Sequence, residues 1–314
     1  MNEILSLIRA YDTIILHRHK SPDGDALGSQ IGLKHIILEN FPGKRVYLVG
    51  DQAGRYSFME DSVMDNVDDA VFENALSVIL DTSAPHLISD DRYNQAKAAC
   101  RMDHHLFCGQ IVPVEYIDSS FESCCGLIAD MCMQANLRLN KTAATALYTG
   151  MITDSGRFRY DSTNARTFRC ASFLMEYGVD TSEIYLHLYA SDFEQLLLRA
   201  QYTLKIRFTE KNVAYIFTTL DELNASGADE FAVSRGMVGV MSDIRGVDIW
   251  ANFTETARGI LCELRSSRYN INPTAVKYGG GGHAKASGAT LPDFETAKLL
   301  LNDLDALIEG ENRA

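Results

Sequence analysis

At 314 residues the chain exceeds one small domain and suggests about two, and its 46% hydrophobic and 23% charged residues are those of an ordinary soluble globular protein. A net charge of −13 leaves no broad basic surface for gripping long nucleic acid, and no apolar run approaches the ~20 residues of a membrane helix. Seven cysteines in no CxxC pattern argue for free thiols in a reducing cytosol; the start MNEILSLIRAYD lacks the basic start and small-residue cleavage site of a signal peptide, so the expected location is cytoplasmic.

In chain order, TIILH reads as a strand, and HRHKSPDGDALGS follows it, crowding His17, His19, Asp23 and Asp25 together. ALGSQIGLKHIILEN predicts a helix with apolar positions at Leu27, Ile31, Ile36 and Ile37. KRVYLVG and LSVILD read as strands, and AACRMDHH is a less regular strand candidate. CCGLIADMCMQANL and TAATALYTGMIT are helical patterns, in which the adjacent Cys124 and Cys125 read as packing. Strands alternating with helices imply an α/β domain, a mostly parallel sheet with helices on both faces. Function in such sheets sits at the carboxyl ends of strands. His19 follows TIIL, Asp81 ends LSVIL, and Asp103, His104 and His105 follow AACRM, so these clusters should gather along one edge, with Asp154 expected there too. From Ser182 to Arg207 a charged helical pattern suits a connector. Beyond it VAYIFTT, VDIWANFTE and GILCELRSS read as strands and FETAKLLLNDLDALIE as a helix, a smaller C-terminal mixed α/β domain. The expected divisions are residues 1–190, a helical connector 191–209, and 210–314. From Leu264 to Thr290 the basic residues Arg265, Arg268, Lys277 and Lys285 meet no acid, the pattern of a small local anion site.

Carboxylates gathered at a sheet edge need a counter-charge, which a metal supplies. His19, Asp23, Asp25, Asp81, His104 and Asp154 are the candidate ligands. Gly24 allows a tight turn between two of them, and the following helix adds its positive N-terminal end. The set suffices for two divalent cations with Asp81 between them. Mixed carboxylate and imidazole ligation suits manganese, with magnesium, cobalt or zinc as competitors. Paired metals about 3.5–4 Å apart activate water and clamp a phosphoryl centre. The run Gly279, Gly280, Gly281, Gly282 is read as a loop whose N–H groups can approach an anion.

Four motifs in order, HKSPDGDALGS, VILDTS, DHH and TDSGRFRY, followed by ELRSS and YGGGGHAKASGAT, resemble the DHH phosphoesterase family with its DHH-associated substrate domain. The resemblance spans nearly the whole chain. It implies that His19 and Asp23 bind one metal, that Asp25, His104 and Asp154 bind the other, and that Asp81 bridges. It also implies that Asp103 orients a ligand and that His105 faces the substrate phosphate or leaving group. Asp81, His104, His105 and Asp103 are then the catalytic set, and Arg265, Ser266, His283 and the glycine loop bind the nucleotide, in a cleft expected between the domains. Size, the absence of membrane spans and the GGGGH run point to the stand-alone group resembling nanoRNase and 3'-phosphoadenosine 5'-phosphate (pAp) phosphatase. The implied reaction is hydrolysis of oligoribonucleotides of a few residues, of pAp, or of both, by a metal-activated water. The alternatives are a soluble cyclic-di-AMP or linear dinucleotide (pApA, pGpG) phosphodiesterase and, outside the enzyme class, a non-catalytic nucleotide-binding protein. Expected partners are short oligonucleotides or nucleotide bisphosphates, with neither long duplex nucleic acid nor a membrane. The oligomeric state stays open, a homodimer being one option.

Overall fold

The computed structural model describes residues 1–311, so residues 312–314 of the expected second domain lie outside the described residues. Two compact units divide between Ala190 and Ser191. The first runs α1 (Asn2–Ala10), β1 (Thr13–His17), α2 (Gly24–Asn40), β2 (Arg45–Leu48), α3 (Asp69–Phe72), β3 (Leu76–Leu80), β4 (Ala98–Asp103), β5 (Val114–Ile117), α4 (Cys124–Ala135), α5 (Lys141–Asp154), α6 (Ala165–Met175) and α7 (Thr181–Tyr189). Its strands form one five-stranded sheet in the order β2-β1-β3-β4-β5, every neighbouring pair parallel. The edge strand β5 has no counterpart in the sequence reading: its four residues are all half-buried, so no apolar run marks it.

β1 and β3 are buried along their whole length, as strands covered on both faces must be. Ile14, Leu16, Leu76, Val78 and Leu80 join the main core with α1, α2, α4, α5 and α6, whereas Ile15 packs on the opposite face with Val49, Val67 and Phe72 of α3. Long helices thus cover one face, and a single-turn helix with its loops covers the other. The strand order reverses between β1 and β3, so the connections leaving their carboxyl ends part and open a crevice.

α2 and α5 set the geometry above that crevice. Residues Gly24 to Leu33 of α2 are all buried, which is why the helix is apolar on most of its circumference. A Cβ at Gly28 would stand 2.5 Å from the Ala146 carbonyl oxygen, and one at Gly32 would stand 2.6 Å from the Leu147 side chain. The bare backbone of α2 therefore lies against α5.

The second unit runs α8 (Phe193–Leu204), β6 (Arg207–Phe208), β7 (Ala214–Thr218), α9 (Leu220–Ser226), β8 (Ile249–Thr256), β9 (Gly259–Ser266), α10 (Asn272–Lys277), β10 (Gly281–His283), β11 (Ala286–Leu291) and α11 (Phe294–Glu311). The six-stranded sheet has the order β10-β11-β9-β8-β7-β6 and is mixed: β7 and β8 are parallel, the other pairs antiparallel. Ile249, Ala251 and Phe253 pack with Ala297, Leu300 and Leu304 of α11, while Ala214, Ile216 and Trp250 pack on the other face with Tyr202 of α8. The segment 191–209, read as a connector, therefore belongs physically to this unit. Most of α8 is exposed, including the apolar Phe193, Leu196, Leu197 and Leu204, and it docks through buried Tyr202 with Leu198 beside it. No helix among the described residues is long and apolar enough to cross a membrane.

Candidate metal centre

His19 lies just beyond β1. Its Nδ1 donates to the Lys20 carbonyl at 2.8 Å, which turns Nε2 inward, 3.7 Å from Asp23 Oδ1 and 3.6 Å from Asp81 Oδ2. Asp23 is the N-cap of α2, accepting from Asp25 N and Ala26 N at 3.0 and 2.9 Å. Asp25, the second residue of α2, is 1% exposed. Its two carboxylate oxygens accept from the backbone of Cys124 (2.7 Å) and Cys125 (2.8 Å), the first residues of α4. The positive end of α4 is thus built around Asp25. Cys124 and Cys125 act through their amides and as buried packing.

Asp81 follows β3 in a left-handed backbone conformation, φ 47°, which aims its carboxylate across the crevice. Oδ2 faces His19, and Oδ1 faces His104 Nε2 at 3.4 Å and His105 Nδ1 at 3.6 Å. His104 points its Nδ1 at the Phe121 carbonyl, 3.4 Å away, so Nε2 meets Asp154 Oδ2 at 3.4 Å and Asp25 Oδ2 at 3.7 Å as well. Asp154 is the last residue of α5, where the helix dipole disfavours a negative charge.

The donor atoms form three overlapping groups, each within 4.8 Å: His19, Asp23 and Asp81; Asp25, His104 and Asp154; and Asp81, His104 and His105. Two donors each ~2.1 Å from one ion stand roughly 3.0–3.5 Å apart, close to the spacings observed here. The electrostatics ask for a cation in the same place. Burial foremost, with Asp81 and Asp154 nearby, pushes the Asp25 carboxyl well above its ordinary range. Burial also dominates at Asp154, pushing it up to about 7 against the pull of His104. Burial alone would lower His19 and His104, but the surrounding carboxylates outweigh it and raise them to about 11 and about 10. Asp81 Oδ1 is buried without a hydrogen-bond partner. Crowded carboxylates, histidines driven to take up protons and an orphaned central oxygen fit a site for divalent metal.

His105 is held differently. Its Nδ1 lies 2.7 Å from Asp103 Oδ1, and that hydrogen bond, with Asp81 and against some burial, raises its pKa. The hydrogen bonds of the Asp103 carboxylate thus go to His105 and not to one of the six candidate ligands. Behind it stands Arg101, fully buried, with Nη2 3.5 Å from Asp103 Oδ2 and Nη1 3.4 Å from Glu115 Oε1. Sequence reasoning missed Arg101, although residues two apart on a strand share a face and Arg101 and Asp103 are two apart on β4. Arg101→Met should lower kcat/KM for a phosphoester about 10- to 100-fold, the range seen when a group behind a site residue is removed. In a His105→Ala background the same change should cost little more, because both would act through one imidazole. Additive losses in the double variant would show that Arg101 serves the fold alone.

The second unit rearranges the other expectations. Ser266 is buried, and its hydroxyl donates to Asp248 O (2.9 Å) and accepts from Arg268 N (3.1 Å) and Tyr269 N (2.7 Å), so it ties a turn. Arg265 pairs with Glu263 at 3.1 Å, Lys277 with Asp303 at 2.7 Å, and Lys285 donates to the Ser267 carbonyl at 2.6 Å. The acid-free window thus meets its acids from outside itself. The glycine run is only half a loop. Gly279 N and Gly280 N close α10 by donating to Val276 O (3.0 Å) and Ala275 O (2.9 Å), while Gly281 and Gly282 enter β10 and pair with Gly288 and Ser287. At Gly280 a Cβ would strike the Gly288 carbonyl, so the close approach of the hairpin requires the bare backbone. His283 ends β10 and is exposed.

Residues 13–151 match the DHH family, N-terminal domain, and residues 212–310 match the DHHA1 domain. The chain is 33% identical over 308 residues to the "Bifunctional oligoribonuclease and PAP phosphatase NrnA" of Bacillus subtilis (strain 168), covering 97% of each. It is 36% identical over 290 residues to the "Probable bifunctional oligoribonuclease and PAP phosphatase NrnA" of Streptococcus mutans, covering 91% of this chain and 92% of that one. The fold is similar to a crystal structure of an exopolyphosphatase-related protein from Bacteroides fragilis, with a TM-score of 0.86 and 24% identity, covering 98% and 97% of the two chains.

Proposed function

The chain belongs to the DHH family, and from that membership we propose that it is a metal-dependent phosphoesterase hydrolysing short oligoribonucleotides and pAp. The observation that carries the proposal is Asp81, whose two oxygens face His19 on one side and His104 on the other. We assign His19 and Asp23 to one cation, Asp25, His104 and Asp154 to a second, and Asp81 to both, with manganese as the metal. Bound there, the cations supply a nucleophilic water and neutralise charge at the phosphoryl group. The α4 amides keep Asp25 in place without competing for the ions, since they occupy only one lone pair on each oxygen. His105, fixed by Asp103 through Nδ1, holds a proton at Nε2 and delivers it to the leaving oxygen. Arg265 and His283 are proposed as contacts to the nucleotide, and the N–H groups of Gly279 and Gly280 are not, because α10 uses them.

Charge supports short substrates. Affinity for a long strand grows with the number of phosphates neutralised; the chain carries −13 overall, and Arg265 and Lys277 are already paired with acids. The test is a panel with manganese: short oligoribonucleotides, pAp, long single strands, cyclic-di-AMP and pyrophosphate. Expected are turnover of the first two, at least about tenfold slower degradation of long strands, estimated from the few phosphates the chain can neutralise, and no turnover in excess chelator. Preferential cleavage of cyclic-di-AMP would favour a dinucleotide phosphodiesterase, and inactivity on every substrate would leave a nucleotide-binding protein.

A further inference from the structure

We propose that Leu106 and Phe107 form the platform on which the nucleobase beside the scissile phosphate stacks, an inference that rests on the phosphoesterase reading. These side chains are 76% and 64% exposed, and they follow His105 directly. Two residues of chain span at most roughly 7 Å, so Phe107 lies within one nucleotide's length of His105.

The segment that carries them is tied at both ends. On one side Asp103 Oδ1 accepts from His105 N at 3.2 Å as well as from its ring. On the other, buried Arg101 donates Nη1 to the Gly109 carbonyl at 3.4 Å. Glu115 Oε1, paired with that arginine, accepts from Ile111 N (2.8 Å) and Val112 N (3.2 Å). Gly109 sits at φ 151°, a conformation that favours glycine. Arg101 thus holds Asp103, and through it His105, at the same time as the base of a loop with an apolar tip. Burying an arginine is costly, and here its charge is met by Asp103 and Glu115 on either side while its Nη1 reaches the Gly109 carbonyl, which keeps His105 and the apolar pair in one frame.

Charge selects the ligand. The carboxylates at the crevice repel any second anionic group that is not on a cation, whereas an aromatic face accepts a base without regard to charge. A nucleotide anchored by its phosphate at the metal centre has its base free to reach this tip. Stacking tolerates every base, so the platform selects for nucleotides over other phosphoesters and not for one sequence.

The test compares Phe107→Ala and Leu106→Ala with the wild type, using manganese and two substrates: pAp and the base-free ribose 3,5-bisphosphate. In Phe107→Ala the KM for pAp should rise roughly 5- to 100-fold, the range that base–aromatic stacking supports, with kcat changed less. The preference for pAp over the base-free substrate should fall toward one. Phe107→Trp should restore the preference, and its added emission should be quenched by AMP and not by ribose 5-phosphate. Wild-type protein that hydrolyses neither substrate overturns the functional reading and the platform with it. Wild-type protein that hydrolyses both, with a preference that is absent or survives in Phe107→Ala, overturns the platform alone. So does a Phe107→Ala variant whose mass in solution changes while its KM does not, since the tip would then be a protein contact.

Discussion

Asp81→Asn is expected to lower pAp and oligoribonucleotide hydrolysis by about 10³-fold or more, as for the loss of a central electrostatic group, and to cost at least one bound divalent ion per chain. Among the described residues Asp81 is the one carboxylate that faces both His19 and His104, so no neighbour can replace it. Asparagine keeps the shape and tolerates the left-handed backbone at φ 47°, so the change removes charge and not fold. A ligand that binds only the native state raises its stability in proportion to the logarithm of its concentration over Kd. The rise in Tm on adding manganese should therefore shrink in the variant, while the circular dichroism of the metal-free protein stays unchanged. Elemental analysis counts the ions directly. A variant with two ions and normal turnover would refute the bridging role.

Gly28→Val should destabilise the first unit by about 3 kcal/mol, the upper range for overpacking, a fall of roughly 6–12 °C in Tm. The Cβ would stand 2.5 Å from the Ala146 carbonyl and 3.0 Å from Cys125 Sγ, so α2 must lift away from α5 and α4. The same lift separates Asp25 on α2 from Asp154 on α5, both now within reach of His104. Activity should therefore fall even at temperatures where the variant is folded. Gly310→Ala in α11 is the contrast: nothing lies within 4 Å of the added methyl, and the gain in helix propensity should stabilise by up to about 1 kcal/mol. Thermal melts of both variants check the pair. A Gly28→Val protein as stable as the wild type would mean that the helices do not depend on this close approach.

The sequence by itself determined which chemistry is present and where along each element it sits. Apolar runs ending in His19, Asp81 and Asp103 imply strands with polar residues at one edge, because strands buried on both faces read as continuous apolar segments and connections carry the polar groups. The turn at Gly24 and the alternation of strand with helix are local patterns too. Tertiary structure decided who holds whom. The amides of Cys124 and Cys125 reach Asp25 across 99 and 100 residues, and Arg101 ties Asp103 to Glu115 through the pairing of β4 with β5. The GGGG run reads locally as a loop, yet half of it is a strand because β11 pairs with it. The acid-free window reads as a free cationic patch, yet Glu263 and Asp303 meet it from neighbouring elements. Periodicity reports how one segment faces core or solvent, whereas these partners are set by sheet order and helix approach, which bring together residues that share no local pattern.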